Sequence, residues 1–407
     1  MKQTAMNDSH PHAFPALKIF CAIAAAGAFI FIGLAIAGDP AKAWQAYLLN
    51  FLFFSAIAQG AVVFSALMHM VNARWSGPLA DAAESFAAFF PISLVLFVIL
   101  FIGQRYVFPW LYMDLHGKEA WLNVPFLFIR DLAGLCLLYG LGVAFWYHRL
   151  YFTLMRHGAT GPAGRKLLAR WRINPPDKDQ MERRLTAFGI LYLLAFALVL
   201  SLLGYDLVMA ADPHWYSTLF GAYSFVKAVY IGFGGLIIVA ALLHVNNQSG
   251  YRLNEDQFHD IGKLFFAFCL VWADFFYAQF VVIWYGNIPE ETAYVINRTM
   301  ASPWDTLAWT VFIGCFVAPF LILLNRRIKT MPKTMAVICL AVLVGIWLEH
   351  YLLLGPAFHK DVADLPLGWV EPAVALGFFG LLAASVSGYF KLFPEILKRG
   401  SMPLSAP

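Results

Sequence analysis

The sequence predicts an all-α polytopic membrane protein with ten transmembrane helices, set out as two same-orientation four-helix bundles plus two peripheral helices. Three observations predict it. Ten apolar stretches fill most of the 407 residues, short connections rich in Pro, Gly and Asp separate them, and a short motif recurs about 175 residues further on. Each stretch has roughly the 20 residues that cross about 30 Å of hydrocarbon at 1.5 Å per residue. The composition is 61% hydrophobic and 13% charged, and the mean hydropathy is +0.68. A water-soluble fold of this length needs more polar surface, which excludes a large soluble helical domain.

The first helix, 17–37, follows a segment with no small-residue cleavage site and is expected to stay as a membrane helix. Gly38-Asp39-Pro40 ends it. The second and third, 48–72 and 86–104, are parted by Gly77-Pro78. The fourth and fifth, 125–148 and 185–208, flank a basic connection, 149–184, that contains Pro175-Pro176. Asp212-Pro213 precedes the sixth, 219–245, and the seventh covers 261–285. The eighth, 304–325, starts after Ser302-Pro303 with Ser302 or Asp305 as its cap. Met331-Pro332 introduces the ninth, 334–354, and the tenth covers 369–390. The chain then divides into 1–47 with the first helix, four-helix units at 48–210 and 211–356, and 357–407 with the tenth helix and a tail.

The motif Ala66 to Asn72, with His69, answers Ala241 to Asn247, with His244. Arg130-Asp131 answers Trp304-Asp305, and His148-Arg149 answers Asn325-Arg326, at nearly the same offset. That offset crosses an even number of spans, so both units face the same way, unlike inverted-repeat transporters. Gly134, Gly140 and Gly142 in the fourth helix and Gly232, Gly234 and Gly235 in the sixth are expected to permit close helix packing.

Basic residues concentrate in alternate connections, above all 149–184 and the group Arg326, Arg327, Lys329 and Lys333. The positive-inside bias places these connections and both termini in the cytoplasm. Cys21, Cys136, Cys269, Cys315 and Cys339 all lie in apolar segments without CxxC spacing, so they read as small buried side chains and offer no zinc or iron–sulfur site.

Ionisable groups inside spans are costly and are usually paired or functional. Asp274 falls about 16 Å below the outer end of the seventh helix at 1.5 Å per residue, near the midplane. It reads as a proton-path carboxyl or an interhelix hydrogen-bond partner, with Tyr277 and Gln279 as neighbours. Lys227 either snorkels or meets an internal carboxylate. His69 and His244 sit at equivalent inner helix ends, suited to proton entry or to bonding the following turn. Asp206 completes this candidate proton path. Arg130, Asp131, Asp305, Glu349 and His350 fall in the outer half, where convergence of the bundles forms a polar cavity fit for a quinol head group. For Asp305 the alternative is a role at a helix N-terminus. No haem ligation is expected from His69 and His244, which belong to different units at helix ends. Trp110, Tyr112, Trp215, Tyr216, Trp284, Tyr285 and Trp369 mark an interfacial aromatic belt.

Residues 268–292 contain Trp272-Ala273-Asp274 and the run Trp284-Tyr285-Gly286-Asn287-Ile288-Pro289-Glu290-Glu291. This segment resembles the seventh-helix signature of the ActF-type NrfD-like membrane subunits of bacterial alternative complex III, and the ten-span layout resembles that family across nearly the whole chain. The resemblance implies a subunit of a quinol:cytochrome c oxidoreductase in the bacterial cytoplasmic (inner) membrane, using menaquinol or ubiquinol. Its implied partners are a sister NrfD-like subunit (ActC), an iron–sulfur subunit, multihaem and monohaem cytochromes c, a terminal oxidase and phospholipids. Haem and iron–sulfur clusters then belong to the partners, and ActC is the implied site of quinol oxidation, while this subunit builds the membrane core and conducts protons. Asp274 stands where some members carry bulkier or neutral residues. Two other classes fit the residues alone: a stand-alone proton-coupled transporter using Asp274 and Lys227, and a structural anchor for peripheral redox subunits.

Overall fold

The computed structural model describes residues 15–115, 117–246, 250–359 and 362–401; Asn247 and the Glu290 side chain lie outside the described residues. The protein is an all-α, multi-pass membrane protein, with ten long apolar helices among the described residues. We number these spans α1 (Pro15–Ala37), α2 (Pro40–Met70), α3 (Arg74–Tyr112), α4 (Val124–His157), α5 (Lys178–Leu207), α6 (Leu219–Val245), α7 (Glu255–Gly286), α8 (Trp304–Leu323), α9 (Pro332–Phe358) and α10 (Val370–Leu392).

Several helix starts carry a local reason. Asp39 accepts from Lys42 N at 3.1 Å, ahead of Pro40 at the first helical position. Asn123 caps α4 through Phe126 N, and Asp177 caps α5 through Asp179 N. Asn254 and Gln257 form a capping box at α7, which ends on Asn287 in the left-handed region (φ 47°). The N-cap position of α8 is instead Pro303, without a side-chain cap, so neither Ser302 nor Asp305 fills that role.

Several helices run further than hydropathy alone places them. α2 starts at Pro40, α4 continues to His157 and α7 begins at Glu255, because polar turns beyond the hydrocarbon remain helical. The basic connection shrinks accordingly and holds its own short helix, Pro162–Ile173. α3 is segmented. Its α-helical turns are interrupted by 3-10 stretches at Ser85–Phe89 and Phe101–Gly103, the first just before Pro91, which has no N–H to continue the ladder. α8 contains a π-turn at Ile313–Val317. Pro319 cannot donate to the Cys315 carbonyl, which accepts from the Tyr230 hydroxyl at 3.0 Å instead.

α2 and α6 form the centre and cross at their glycines. A Cβ on Gly60 would collide with the Ala228 carbonyl and Gly232, and one on Gly232 with the Gly60 backbone; Gly235 meets Ile57 one turn away. α5 and α9 flank this crossing, α4 packs on α5, and α7 and α8 close the other side. α1 packs chiefly on α10, where Gly27 meets Gly377 just as closely. Gly140, by contrast, faces open space. Cys269, Cys315 and Cys339 are buried, whereas Cys21 and Cys136 lie on the outer surface of the bundle, contrary to the sequence expectation.

Two faces are recognisable from the contacts between connections. On the basic side, Gly161 N donates to Glu395 Oε2 at 2.9 Å, tying the α4–α5 connection to the C-terminal segment. On the opposite side, Lys42 pairs with Glu371 at 3.6 Å, and Trp215 stacks on Tyr294 with centroids 3.6 Å apart.

Candidate functional site

Among the described residues, three charged centres sit inside the bundle, each bridging two or more helices. The first joins α4 and α5. Arg130 holds Asp206 bidentately, Nε to Oδ2 and Nη2 to Oδ1, both at 2.6 Å. Trp121 donates its indole N–H to the same carboxylate at 3.0 Å, and its ring lies 3.9 Å under the guanidinium. Asp131, fully buried, lies beside Asp206, whose carboxylate holds the guanidinium. Such an arrangement suits the exchange of one proton between the pair.

The second centre joins α6 and α9. Lys227 Nζ lies 3.1 Å and 3.3 Å from the two Glu349 oxygens. The Tyr223 hydroxyl donates to Glu349. His350 follows, with Nδ1 2.8 Å from the Ile346 carbonyl and 3.8 Å from Glu349, its ring edge-on to Phe53. Above it, Arg298 donates to the Leu353 carbonyl at 2.9 Å, stacks on Tyr294 and lies 3.7 Å from Asp212. Burial pushes the Tyr294 hydroxyl up to about 12, with Arg298 opposing.

The third centre lies toward the basic side, and the sequence reading did not single it out. Arg149 on α4 pairs with both Asp81 (3.3 Å) and Glu84 of α3, and Ser65 of α2 donates to Glu84 at 2.9 Å. Arg149 is therefore a bundle residue and not part of the surface connection. The signal was present: Asp81 and Glu84 fall at i and i+3 in an alanine-rich stretch, which puts both carboxylates on one helical face.

Between the first and third centres runs a ladder of buried hydroxyls. Ser55 and Ser93 are 2.6 Å apart, Ser93 and Tyr139 2.7 Å, and the Gln59 amide lies beside Tyr139. Tyr192 donates to the Gln59 main-chain carbonyl at 3.2 Å. From Asn50 to His69, α2 carries Ser55, Gln59 and Ser65 on its way, a rise of about 28 Å at 1.5 Å per residue. His69 Nε2 lies 3.3 Å from the Thr186 hydroxyl of α5.

The structure thus separates residues that the sequence reading grouped into one cavity. Arg130 and Asp131 belong to the α4–α5 centre, Glu349 and His350 to the α6–α9 centre, and half-buried Asp305 to neither. Lys227 meets Glu349, and Asp206 meets Arg130. His244, unlike His69, binds its own connection: its Nδ1 accepts from Leu253 N at 3.1 Å. Asp274 is exposed on the outward face of α7, with Tyr277 exposed and Gln279 donating to the Phe275 carbonyl. It lines a groove of about 850 Å³ between α7 and α8. Trp284 and Tyr285 are exposed at the end of α7, Asn287 is its cap, and Pro289 starts a short helix, Pro289–Thr299, that carries half-buried Glu291.

Fold and site together define a polytopic helical membrane protein whose interior holds paired acids and bases. No family model matches the chain, and no curated protein matches it.

Proposed function

We propose that this chain is an integral membrane subunit of a quinol:cytochrome c oxidoreductase, of the NrfD-like type that residues 268–292 resemble, and that it conducts protons for that complex. The observation that carries the proton role is the run of buried acids, bases and hydroxyls through α2–α5, from Arg130–Asp206–Asp131 by way of Tyr139, Ser93 and Ser55 to Glu84–Arg149–Asp81. Side chains of this kind are expensive in lipid, and the hydrogen-bonded steps Tyr139–Ser93–Ser55 and Ser65–Glu84 are of the kind that proton transfer across hydrocarbon uses. In this reading the basic side is cytoplasmic, His69 stands at the proton entry, and redox cofactors reside on haem and iron–sulfur partners, electrons coming from menaquinol or ubiquinol.

A two-unit repeat would support it. Gly60–Gly232 and Ile57–Gly235 at the α2–α6 crossing exchange under the same 175-residue offset, as expected if α2 and α6 are equivalent helices. The transporter alternative loses its coupled pair, since Lys227 faces Glu349 while Asp274 faces outward. The test is affinity purification of the tagged chain from native membranes, read by haem spectra, iron content and quinol:cytochrome c activity. Recovery without haem-bearing or iron–sulfur partners would sink the assignment. Partners with full activity in a complex that moves no protons would reduce the chain to an anchor.

A further inference from the structure

We propose that the groove between α7 and α8 binds a lipid-soluble aromatic diol of the quinol class, with Asp274 accepting a hydrogen bond from a ring hydroxyl. The choice of ring chemistry rests on the function proposed above; the site itself rests on geometry.

The groove, about 850 Å³, is of the size that takes a cofactor-sized ligand. Its walls are aromatic, with Phe276 and Phe280 on α7 and Trp309, Phe312 and Phe316 on α8. Phe316 belongs to the π-turn forced by Pro319, a backbone device found often at functional sites. Within this apolar setting stands one carboxylate, Asp274, at mid-helix depth on a lipid-facing surface. An acyl chain has no donor to offer it, and a phosphate head group would repel it. A spanning helix of a partner needs a seam running through the bilayer, whereas this groove is bounded on its outer side by Thr299 and Met300. A flat ring with hydroxyl donors and an apolar tail satisfies size, aromatic walls and carboxylate together.

The groove also has an inner neighbour. Phe276, Phe280 and Thr299 line a second cavity of about 60 Å³ whose far wall holds Tyr223 and Arg298. Tyr223 donates to Glu349. The ring site is therefore one aromatic layer from the Lys227–Glu349 centre.

The test uses the full chain in lipid nanodiscs, a short-tail benzoquinol carrying a diazirine, and unlabelled decyl benzoquinol as competitor. Saturable, competed labelling is expected within 270–280 or 308–316. Asp274→Leu, which removes the acceptor, and Thr299→Trp, which fills the groove and keeps the carboxylate, are each expected to weaken apparent affinity tenfold or more. Both must elute as monodisperse species; Trp309→Ala replaces either that does not. Labelling that is unsaturable, lies elsewhere or is unchanged in the variants overturns the site. So does labelling confined to the isolated chain and absent from the purified complex, which would mean that a partner subunit fills the groove. Recovery without redox partners would remove the proposed complex while leaving this assay intact, so the two failures are distinguishable.

Discussion

Replacing Lys227 by Met is expected to destabilise the protein by about 3 kcal/mol. The Lys227 and Glu349 side chains are 6% and 3% exposed and 3.1 Å apart. Both side chains are enclosed by the bundle, so removal of one leaves the other desolvated. Removing one member of such a pair costs about 3–5 kcal/mol, because the survivor is left uncompensated. The Tyr223 hydroxyl still donates to Glu349 in the variant, an offset of about 1 kcal/mol that sets the figure at the lower end. Combining Lys227→Met with Glu349→Gln removes both charges and keeps the tyrosine bond, so most of the loss should return. The assay is SDS titration in mixed micelles, followed by tryptophan fluorescence, on the wild type, both single variants and the double variant. A coupling energy below about 0.5 kcal/mol, the scatter of independent sites, would refute the view that these charges form one desolvated unit.

Glu84→Gln should lower proton-coupled turnover of the assembled complex about tenfold to a hundredfold, measured as acidification per electron, with Asp81 still holding Arg149. Gly60→Ala is expected to cost about 2–3 kcal/mol in the same SDS titration, because the added methyl meets the Ala228 carbonyl and the backbone cannot yield cheaply. For His359, burial and Lys42 lower the imidazole pKa, with Glu371 and Asp39 opposing. Below about pH 6.5 the unfolded chain takes up a proton that the folded His359 resists, so stability falls as the pH drops through that range. His359→Gln should flatten that slope in thermal unfolding between pH 5 and pH 7.

The ten spans were legible because hydrocarbon demands long uninterrupted apolar runs, and no other environment does. Helix ends were less so. The polar turns Lys178 to Arg184 and Glu255 to Asp260 are helical without being lipid-facing, and hydropathy reports only the second property. Counting residues along α7 locates Asp274 at mid-helix, but not the face it occupies. That helix is apolar on nearly every side, so no stripe distinguishes the bundle from the lipid. Lys227 was legible as a charge needing a partner, yet Glu349 lies 122 residues away and only packing brings them together. Arg149 read as a loop residue because it adjoins a basic run. Its true surroundings depend on Asp81 and Glu84, in a helix that the apolar pattern of α3 did not include.

The clasp between α1 and α10 sets an order of events at the ribosome. α1 finds its main docking surface only on α10, so it must wait in the bilayer while the spans between them are made. A chain stopped before Val370 would leave Gly27 facing acyl chains, and quality-control proteases would meet a loose N-terminal rod beside an otherwise finished core.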